Sequence, residues 1–237
     1  MSYVNVERDG AVALIELDRD EKLNAISTAV ERELSAALAS DEVRSSRAVV
    51  IAGNGRAFSA GADITEFADR DPDAILRYYR ETGNVYEELA SLPQATVAAV
   101  HGYCLGGGLE LALAADFRVA DANAVLGFPE VGIGILPSSG GTVRATRLVG
   151  PARARELILL GDRISAADAL ALGLVTEVAD DAPVRALELA RRLSALPPAA
   201  VAVAKAAIDA ATESSRDVAL MIERLGYAVL SQIPPPA

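Results

Sequence analysis

The sequence predicts an α/β protein whose C-terminal part is helical. Short apolar runs of the β type recur along most of the chain, and helical patterns lie between them. Strands that alternate with helices favour an α/β arrangement. Beyond Pro183 the segments are amphipathic or apolar at helical spacing, which predicts a helical C-terminal region.

The individual elements follow from composition and from capping residues. Strands are predicted at 11–17, 47–53, 95–102, 117–127 and 174–179. Helices are predicted from Ser27, as the N-cap, to about Ser40; from about Pro72 to Ser91; from the glycines at 106–108; from Pro151 to Gly161; from Ser165, as the N-cap, to Gly173; and in three segments beyond Pro183. These boundaries use the preference for Ser before a helix, Pro in its first turn and Gly after its end.

The composition limits the classes of function. The chain has 237 residues, of which 51% are hydrophobic, and its 33 acidic and 22 basic side chains give a formal charge of −11. That hydrophobic fraction supplies the core of one large domain. The negative charge disfavours a nucleic-acid partner, which requires a basic face. An anionic small ligand stays compatible, because it needs only a few local bases and backbone N–H groups.

The same sequence features predict the location of the protein. Cys104 is the single cysteine, so an intrachain disulfide framework is excluded. The first ten residues contain no apolar signal core, and the longest apolar runs are interrupted by His101 or Glu110 before they reach the length of a membrane span. We therefore expect a cytoplasmic protein with no membrane partner.

Three consecutive glycines, 106–108, stand where a helix is predicted to begin, with Glu110 in its first turn. Glycine costs a helix about 1 kcal/mol per residue relative to alanine. The first N–H groups of a helix have no intrahelical partner, and the helix dipole favours negative charge there. The glycines therefore predict either an anion or oxyanion site on bare backbone or tight packing of the helix against a strand, and alone they do not decide between the two.

A second loop of small residues favours the oxyanion site. Residues 54–67, "NGRAFSAGADITEF", follow the strand predicted at 47–53. Two such loops after two strands can each direct one N–H group at the same oxygen, which is how an oxyanion hole is built.

A candidate acid/base residue follows further along the chain. Glu130 comes after Pro129 and next to apolar residues, including Phe128. A carboxyl group in an apolar environment has a raised pKa, which suits proton transfer. The alternative is a glutamate in a solvent-facing turn, and the local sequence alone favours that alternative.

Five motifs, taken in order, resemble the enoyl-CoA hydratase/isomerase (crotonase) family. They are "KLNAI" at 22–26, "AFSAGADI" at 57–64, "VHGYCLGGGLELALAADFRVA" at 100–120, "GFPEVGIGILPSSGGTVRATRLVG" at 127–150 and "LGDRISAADALALGLV" at 160–175. Each motif is weak alone. Five of them in the correct order and at compatible separations are highly specific, and the resemblance covers nearly the whole chain.

The resemblance implies an architecture. The fold would be a crotonase-type spiral of ββα turns, followed by C-terminal helices that build a homotrimer, often paired into a hexamer. We accordingly expect a spiral core over residues 1–195 and a helical oligomerisation region over residues 196–237. The last predicted helix is apolar over much of its face, so it needs a partner such as another subunit.

The resemblance also implies a ligand and a site. The ligand would be a coenzyme A thioester, whose carbonyl oxygen accepts hydrogen bonds from the N–H groups of Ala62 and Gly107. Glu130 would exchange the proton at C2 of a 2-enoyl group, and Glu110 would activate the water that attacks C3. No metal or separate cofactor is implied, since coenzyme A is part of the substrate.

Further residues carry over from the family to the substrate site. They are Lys22 for a phosphate of coenzyme A, Leu23 and Phe128 for the tunnel walls, Ala60 and Ile64 for the adenine and pantetheine path, and Asp63, Gly106, Pro129 and Ser138 beside them. Ser138 is a departure, because the family often has glycine there, whose N–H helps to hold the catalytic water. Thr65 is another, since several hydratases have a lysine at this position that contacts coenzyme A.

Alternative functions stay open at this stage. Family isomerases commonly use one carboxylate, at the position of Glu130, so a Δ3-Δ2-enoyl-CoA isomerase is the nearest rival, and the presence of Glu110 favours the hydratase. A non-catalytic scaffold with the same fold is disfavoured by the retention of both glutamates and both glycine-rich loops. His101 is the only histidine, and no GxSxG motif accompanies it for a serine hydrolase.

Overall fold

The structure is a computed structural model that describes residues 2–66, 71–81 and 84–233. Its strands in chain order are β1 (Val4–Asp9), β2 (Val12–Leu17), β3 (Ala48–Gly53), β4 (Ala57–Ser59), β5 (Ala95–Val100), β6 (Tyr103–Leu105), β7 (Phe117–Asp121), β8 (Val125–Gly127), β9 (Ile164–Ser165) and β10 (Glu177–Ala179). Its helices are α1 (Thr28–Leu38), α2 (Asp41–Arg44), α3 (Pro72–Glu81), α4 (Val85–Ala90), α5 (Gly107–Ala114), α6 (Gly141–Arg155), α7 (Ala166–Ala171), α8 (Ala182–Ser194), α9 (Pro198–Glu213) and α10 (Arg216–Leu230).

The strands form two sheets that the chain visits alternately. The larger sheet has the order β1-β2-β3-β5-β7-β10, and the smaller sheet has the order β4-β6-β8-β9. In the larger sheet β1 and β2 are antiparallel and all later neighbours are parallel. The pairs β3/β4, β5/β6 and β7/β8 each add one strand to each sheet, and α5 follows the second pair. The predicted α/β spiral of ββα turns is therefore confirmed.

The central strands β3 and β5 of the larger sheet are buried on both faces, which explains their continuous apolar sequences. In β3 the side chains alternate between two cores: Val49 and Ile51 face one, and Val50 faces the other. The first core contains α1, α4 and α5. The second lies under α8, which places Ala186 and Ala190 against the sheet at a spacing of four residues, as expected for one face of a helix.

Several predicted helix boundaries are confirmed by their caps. Ser27 Oγ accepts a hydrogen bond from Val30 N at the start of α1, and Ser165 Oγ caps α7 in the same way. Gly150 has non-helical angles (φ 78°, ψ 162°), so the helical segment predicted from Pro151 begins after a break inside α6. It ends in a π-helical turn before Gly161, whose φ is 70°.

Two predicted segments are wrong in their extent. The strand predicted at 117–127 is two strands, β7 and β8, which belong to different sheets. The helix predicted at 72–91 is two helices, α3 and α4, and positions 82 and 83 between them lie outside the described residues. The sequence pattern also gave no signal for β1, which completes the edge of the larger sheet through its hairpin with β2.

The last two helices pack against each other and leave much of their apolar surface exposed. Met221, Leu225 and Val229 on α10 are all more than half exposed. Within the part of the chain that the structure describes, no single helix is long and apolar enough to cross a membrane; α8 and α9 reach such a length and composition only together, and they bend by 107° at their junction. The predicted division of the chain at residue 195 stays a prediction.

Candidate active site

The loop that carries Ala62 is fixed by the segment at 22–26. Ala60 N donates to Leu23 O at 2.9 Å, and Ser59 Oγ donates to Asn24 O at 2.8 Å. Ile26 N donates to Gly61 O at 2.8 Å, and Ile26 O accepts from Asp63 N at 2.8 Å. These bonds on both sides of Ala62 set the direction of its N–H group. This is the physical role of the "KLNAI" motif.

The glycine run permits the tight packing that the sequence offered as one alternative, and its backbone geometry is compatible with the oxyanion site, which was the other. Gly106 has φ 50° and ψ −123°, a backbone conformation that residues with a Cβ rarely adopt. A Cβ on Gly108 would lie 2.4 Å from Ser59 O, so this glycine permits tight packing of α5 against the loop. Gly107 is the first residue of α5, where the N–H group has no acceptor within the helix.

Two backbone N–H groups consequently converge. A Cβ built on Gly107 would lie only 3.2 Å from Ala62 N, so the two backbone segments approach closely. Among the described residues, neither N–H group donates to another backbone carbonyl. Both can therefore donate to one oxygen of a ligand, which is the geometry that stabilises an oxyanion.

Glu110 is buried in the first turn of α5 and is held by the loop before α6. Its Oε1 accepts hydrogen bonds from Ser139 N and Gly141 N, each at 2.7 Å. Burial raises the pKa of Glu110, and the two backbone donors and the nearby Arg144 oppose that shift. Arg144 also donates to Ser139 O at 3.0 Å, so this arginine helps to hold the loop. The loop thus favours the carboxylate form of Glu110.

Glu130 has a different environment. It begins a 3-10 turn, Glu130–Ile133, and is 8% exposed. Its Oε2 is buried and has no hydrogen-bond partner among the described residues. Burial raises the pKa of Glu130 to about 7, and the negative charge of Glu110 adds to the effect. A carboxyl group with this pKa is partly protonated near neutral pH and can give or take a proton.

The two carboxyl groups and the two N–H groups line one small cavity of about 100 Å³. The predicted site residues on its walls are Ala60, Ala62, Ile64, Gly106, Gly107, Glu110, Pro129, Glu130 and Ser138. Gly106 contacts Glu130 closely, since a Cβ at position 106 would be 2.9 Å from Glu130 Oε1. The structure therefore brings together the residues on which the predicted chemistry depends.

Four predicted binding residues lie away from this cavity. Lys22 is exposed on the 3-10 turn Asp20–Lys22, and Leu23 follows it with φ 51°. Phe128 is fully buried in the hydrophobic core and is not among the residues that line this cavity; its place in the tunnel wall stays a prediction. Asp63 Oδ2 accepts from Arg19 at 2.9 Å and its Oδ1 accepts from the Thr65 hydroxyl at 2.6 Å, so its carboxylate has structural partners.

The hydrogen bonds from Thr65 are the main reason that the pKa of Asp63 is lowered. The structure also shows where the single histidine and cysteine lie. His101 Nε2 lies 3.1 Å from Gly55 O, and Cys104 is buried in the core. Among the described residues, no group of three or more His, Cys, Asp or Glu side chains is arranged as a metal site.

Sequence reasoning missed two kinds of residue. Asn24 is buried at φ 55°, and its side chain bonds three backbone groups near the loop. Asn tolerates a positive φ, but the sequence alone does not show these bonds. Tyr78, Tyr79 and Tyr86 line the cavity, although α3 and α4 carry no motif that points to them.

These features define an α/β enzyme class in which two backbone N–H groups and paired buried carboxyl groups serve one cavity. The model of the enoyl-CoA hydratase/isomerase family matches residues 7–228 of the chain. The chain therefore belongs to the enoyl-CoA hydratase/isomerase family, as the five sequence motifs predicted.

Individual relatives agree with this assignment. The chain is 42% identical over 230 residues to a protein of Mycobacterium bovis named "Probable enoyl-CoA hydratase", covering 94% of this chain and 88% of that protein. It is 36% identical over 227 residues to the short-chain-enoyl-CoA hydratase of Clostridium acetobutylicum, covering 94% and 87%. The crystal structure of an enoyl-CoA hydratase from Thermoplasma volcanium superimposes with a TM-score of 0.91 at 36% identity, covering 99% of this chain and 94% of that one.

Proposed function

We propose that this enzyme is an enoyl-CoA hydratase, which adds water across the C2=C3 bond of a 2-enoyl-CoA thioester. The observation that carries the proposal is the pair Glu110 and Glu130, two buried carboxyl groups with unlike surroundings on one cavity. Hydration needs one group that takes a proton from water and one that gives a proton to carbon. Unlike environments separate these two tasks.

The thioester oxygen is placed between the N–H groups of Ala62 and Gly107. When hydroxide adds to C3, negative charge develops on this oxygen as the C2=C3 electrons move toward the carbonyl. Two fixed donors stabilise that charge, and each donor contributes about 3 kcal/mol in comparable sites. The position of Gly107 at the N-terminus of α5 adds the favourable end of the helix dipole.

The surroundings of the carboxyl groups support a division of roles. Glu110, with two backbone N–H donors on Oε1, acts as the base: it removes one proton from water while the water oxygen bonds to C3. Glu130, whose pKa is raised to about 7, gives its proton to C2 as the enolate collapses. A proton transfer between the two groups restores the starting state, so that one water is consumed in each turnover. Close carboxyl groups titrate as a pair.

The isomerase alternative requires a shift of the double bond from C3 to C2 without addition of water. Glu130 alone could move that proton between carbons. The structure favours hydration, because Glu110 is placed on the same cavity and held by Ser139 N and Gly141 N. A scaffold without catalysis would need neither carboxyl group in this buried position, since each burial raises a pKa at a cost in stability.

Further parts of the proposal concern the substrate, the assembly and the location. Coenzyme A belongs to the substrate, and the steps above use no separate cofactor. Lys22 is exposed next to the loop that carries Ala60, where it can contact a phosphate of coenzyme A. We also propose a homotrimer or a dimer of trimers, which would cover the exposed apolar side chains of α10, and a cytoplasmic location.

A direct assay tests the activity. The wild-type protein should remove the enoyl absorbance of crotonyl-CoA, and Glu110→Gln and Glu130→Gln should each lower kcat by about 100-fold to 10,000-fold, the usual contribution of a general acid or base. Glu156→Gln, at an exposed ion pair with Arg153, is the control. Conversion of a 3-enoyl-CoA that needs Glu130 and tolerates Glu110→Gln, without hydration, would instead establish the isomerase.

A further inference from the structure

One wall of the cavity is completed by a contact between two side chains. The Tyr79 hydroxyl on α3 forms a hydrogen bond with Ser138 Oγ, in the loop before α6. Both residues line the cavity. This bond, which we call the Tyr79–Ser138 contact, therefore joins a helix and a loop that are distant in sequence at the edge of the site.

The ring of Tyr79 is supported from behind. Tyr78 packs edge to face against it, with ring centroids 5.0 Å apart and an angle of 70° between the planes. The Tyr78 hydroxyl donates to Glu31 Oε1, and Glu31 is only 1% exposed on α1. Edge-to-face aromatic pairs are favourable in their own right. Tyr79 is thus held at both its ring and its hydroxyl, and it forms a fixed wall of the cavity.

The position of this wall follows from the proposed function, on which this inference rests. The proposal places C3 of the substrate beside Glu110. Glu110 is bonded to the backbone of Ser139 and Gly141, which immediately follow Ser138. Because Ser138 and Tyr79 line the same cavity as Glu110, the Tyr79–Ser138 contact lies where acyl carbons beyond C3 would be accommodated.

The space before that wall is small. The cavity of about 100 Å³ lies well below the roughly 300–1,000 Å³ of pockets that hold drug-sized ligands. We infer that the Tyr79–Ser138 contact restricts the substrate to short, unbranched 2-enoyl groups such as crotonyl. Ser138, which the sequence marked as a departure from the family, acquires a role here as the hydrogen-bond partner of Tyr79.

The test compares kcat/KM for crotonyl-CoA and trans-2-decenoyl-CoA. Wild type should prefer crotonyl-CoA by at least about tenfold, because pocket fit typically discriminates by roughly 10-fold to 200-fold per methylene. Tyr79→Ala should lower this preference at least about tenfold by raising kcat/KM for the decenoyl substrate. Leu76→Ala, which truncates a 54% exposed side chain on the same helix, should keep the wild-type preference.

Two more variants separate the hydrogen bond from the bulk of the ring. Tyr79→Phe and Ser138→Ala each remove the contact and keep the ring, so both should relax the preference less than Tyr79→Ala does. If Tyr79→Ala does not fold, Tyr79→Phe and Ser138→Ala decide, and a preference unchanged from wild type in both would overturn the inference. Equal wild-type activity on the two substrates, or an unchanged preference in a folded Tyr79→Ala variant, would overturn the inference.

A binding measurement distinguishes this failure from failure of the proposed function. If wild type hydrates neither substrate, the hydratase proposal fails. Calorimetric titration with butyryl-CoA and decanoyl-CoA then tests whether the Tyr79–Ser138 contact restricts acyl length. If wild type binds butyryl-CoA more tightly than decanoyl-CoA and Tyr79→Ala does not, the inference is supported. Equal binding of the two thioesters by wild type would reject it.

Discussion

Gly107 approaches Ala62 so closely that a Cβ on Gly107 would lie 3.2 Å from the Ala62 nitrogen and 3.3 Å from the Tyr86 hydroxyl. The added methyl group would therefore press against the Ala62 N–H group, one of the two that are proposed to bind the thioester oxygen. Contacts of 3.2 Å to a carbon are shorter than ordinary van der Waals distances, so the backbone segments would have to separate.

We expect Gly107→Ala to lower kcat by about 100-fold to 1,000-fold, the effect of removing one oxyanion-hole donor. The variant should fold, since Gly107 is helical and alanine favours a helix. Gly132→Ala is the matched control, because a Cβ there meets nothing within 4 Å. Steady-state kinetics with crotonyl-CoA measures the effect, and wild-type kcat in Gly107→Ala would contradict the proposed oxyanion site.

Gly141 makes a comparable test of the base. A Cβ at Gly141 would lie 2.8 Å from both Cγ and Oε1 of Glu110, so Gly141→Ala should displace this carboxylate. We expect kcat to fall by about 100-fold, with KM for crotonyl-CoA changing much less, since a Cβ at Gly141 contacts Glu110 and not Ala62 or Gly107. A kcat that stays near that of Gly132→Ala would show that the position of Glu110 does not limit the reaction.

The sequence was sufficient for the features that depend on local chemistry. The helix cap at Ser27 was predictable because its side chain accepts a hydrogen bond from a free backbone N–H group. The glycine run before α5 was predictable because glycine adopts backbone angles that other residues avoid. The apolar strands β3 and β5 were predictable because both of their faces are buried. The order of the motifs led to the family, and the close packing of Gly108 against Ser59 appears only in the fold.

The sequence failed where long-range packing decides. Asp121 and Asn123 are turn-forming residues within 117–127 and indicate a break, but nothing local shows that the chain passes from one sheet to the other between β7 and β8. The orientation of Phe128 into the core likewise depends on the register of β8. Tyr86 reaches the cavity because α4 packs beside α1 and α5, and Tyr78 of α3 bonds Glu31 of α1. No local pattern encodes these contacts.

Asn24 supports the loop of Ala62 from behind. Its Nδ2 donates to Asn54 O at 2.9 Å and to Ala57 O at 2.7 Å, and its Oδ1 accepts from Arg19 N at 2.7 Å. Asn24→Ala removes all three bonds and leaves buried backbone groups unsatisfied, each of which costs about 1–3 kcal/mol.

We expect Asn24→Ala to lower the free energy of unfolding by about 3 kcal/mol. The positive φ of 55° at this position adds to the effect, since Asn tolerates it better than Ala. Urea denaturation checks the prediction, with Asn123→Ala, at an exposed turn, as the control. Equal midpoints for the two variants would show that the side chain of Asn24 does not stabilise this segment.

Glu130 predicts a dependence of stability on pH. Its pKa is raised from 4.5 to about 7 in the folded protein, mainly by burial. Between these values the folded state binds the proton more tightly than the unfolded state does. The free energy of unfolding contributed by this group therefore falls as pH rises through the window, and the penalty is complete above pH 7. At about 1.4 kcal/mol per pKa unit, its size is about 3 kcal/mol.

Glu130→Gln removes this penalty because an amide does not ionise. At each pH we compare the free energy of unfolding of Glu130→Gln with that of wild type. The variant minus wild-type difference should be about 3 kcal/mol larger at pH 8 than at pH 4.5. The comparison with wild type at each pH cancels the titration of groups that both proteins share, including much of that of Glu110. Urea denaturation at the two pH values measures the change, and Glu156→Gln, at an exposed position, should show little dependence. If this difference is the same at both pH values, Glu130 ionises normally. Its proposed role as the proton donor to C2 at neutral pH would then lose its physical basis.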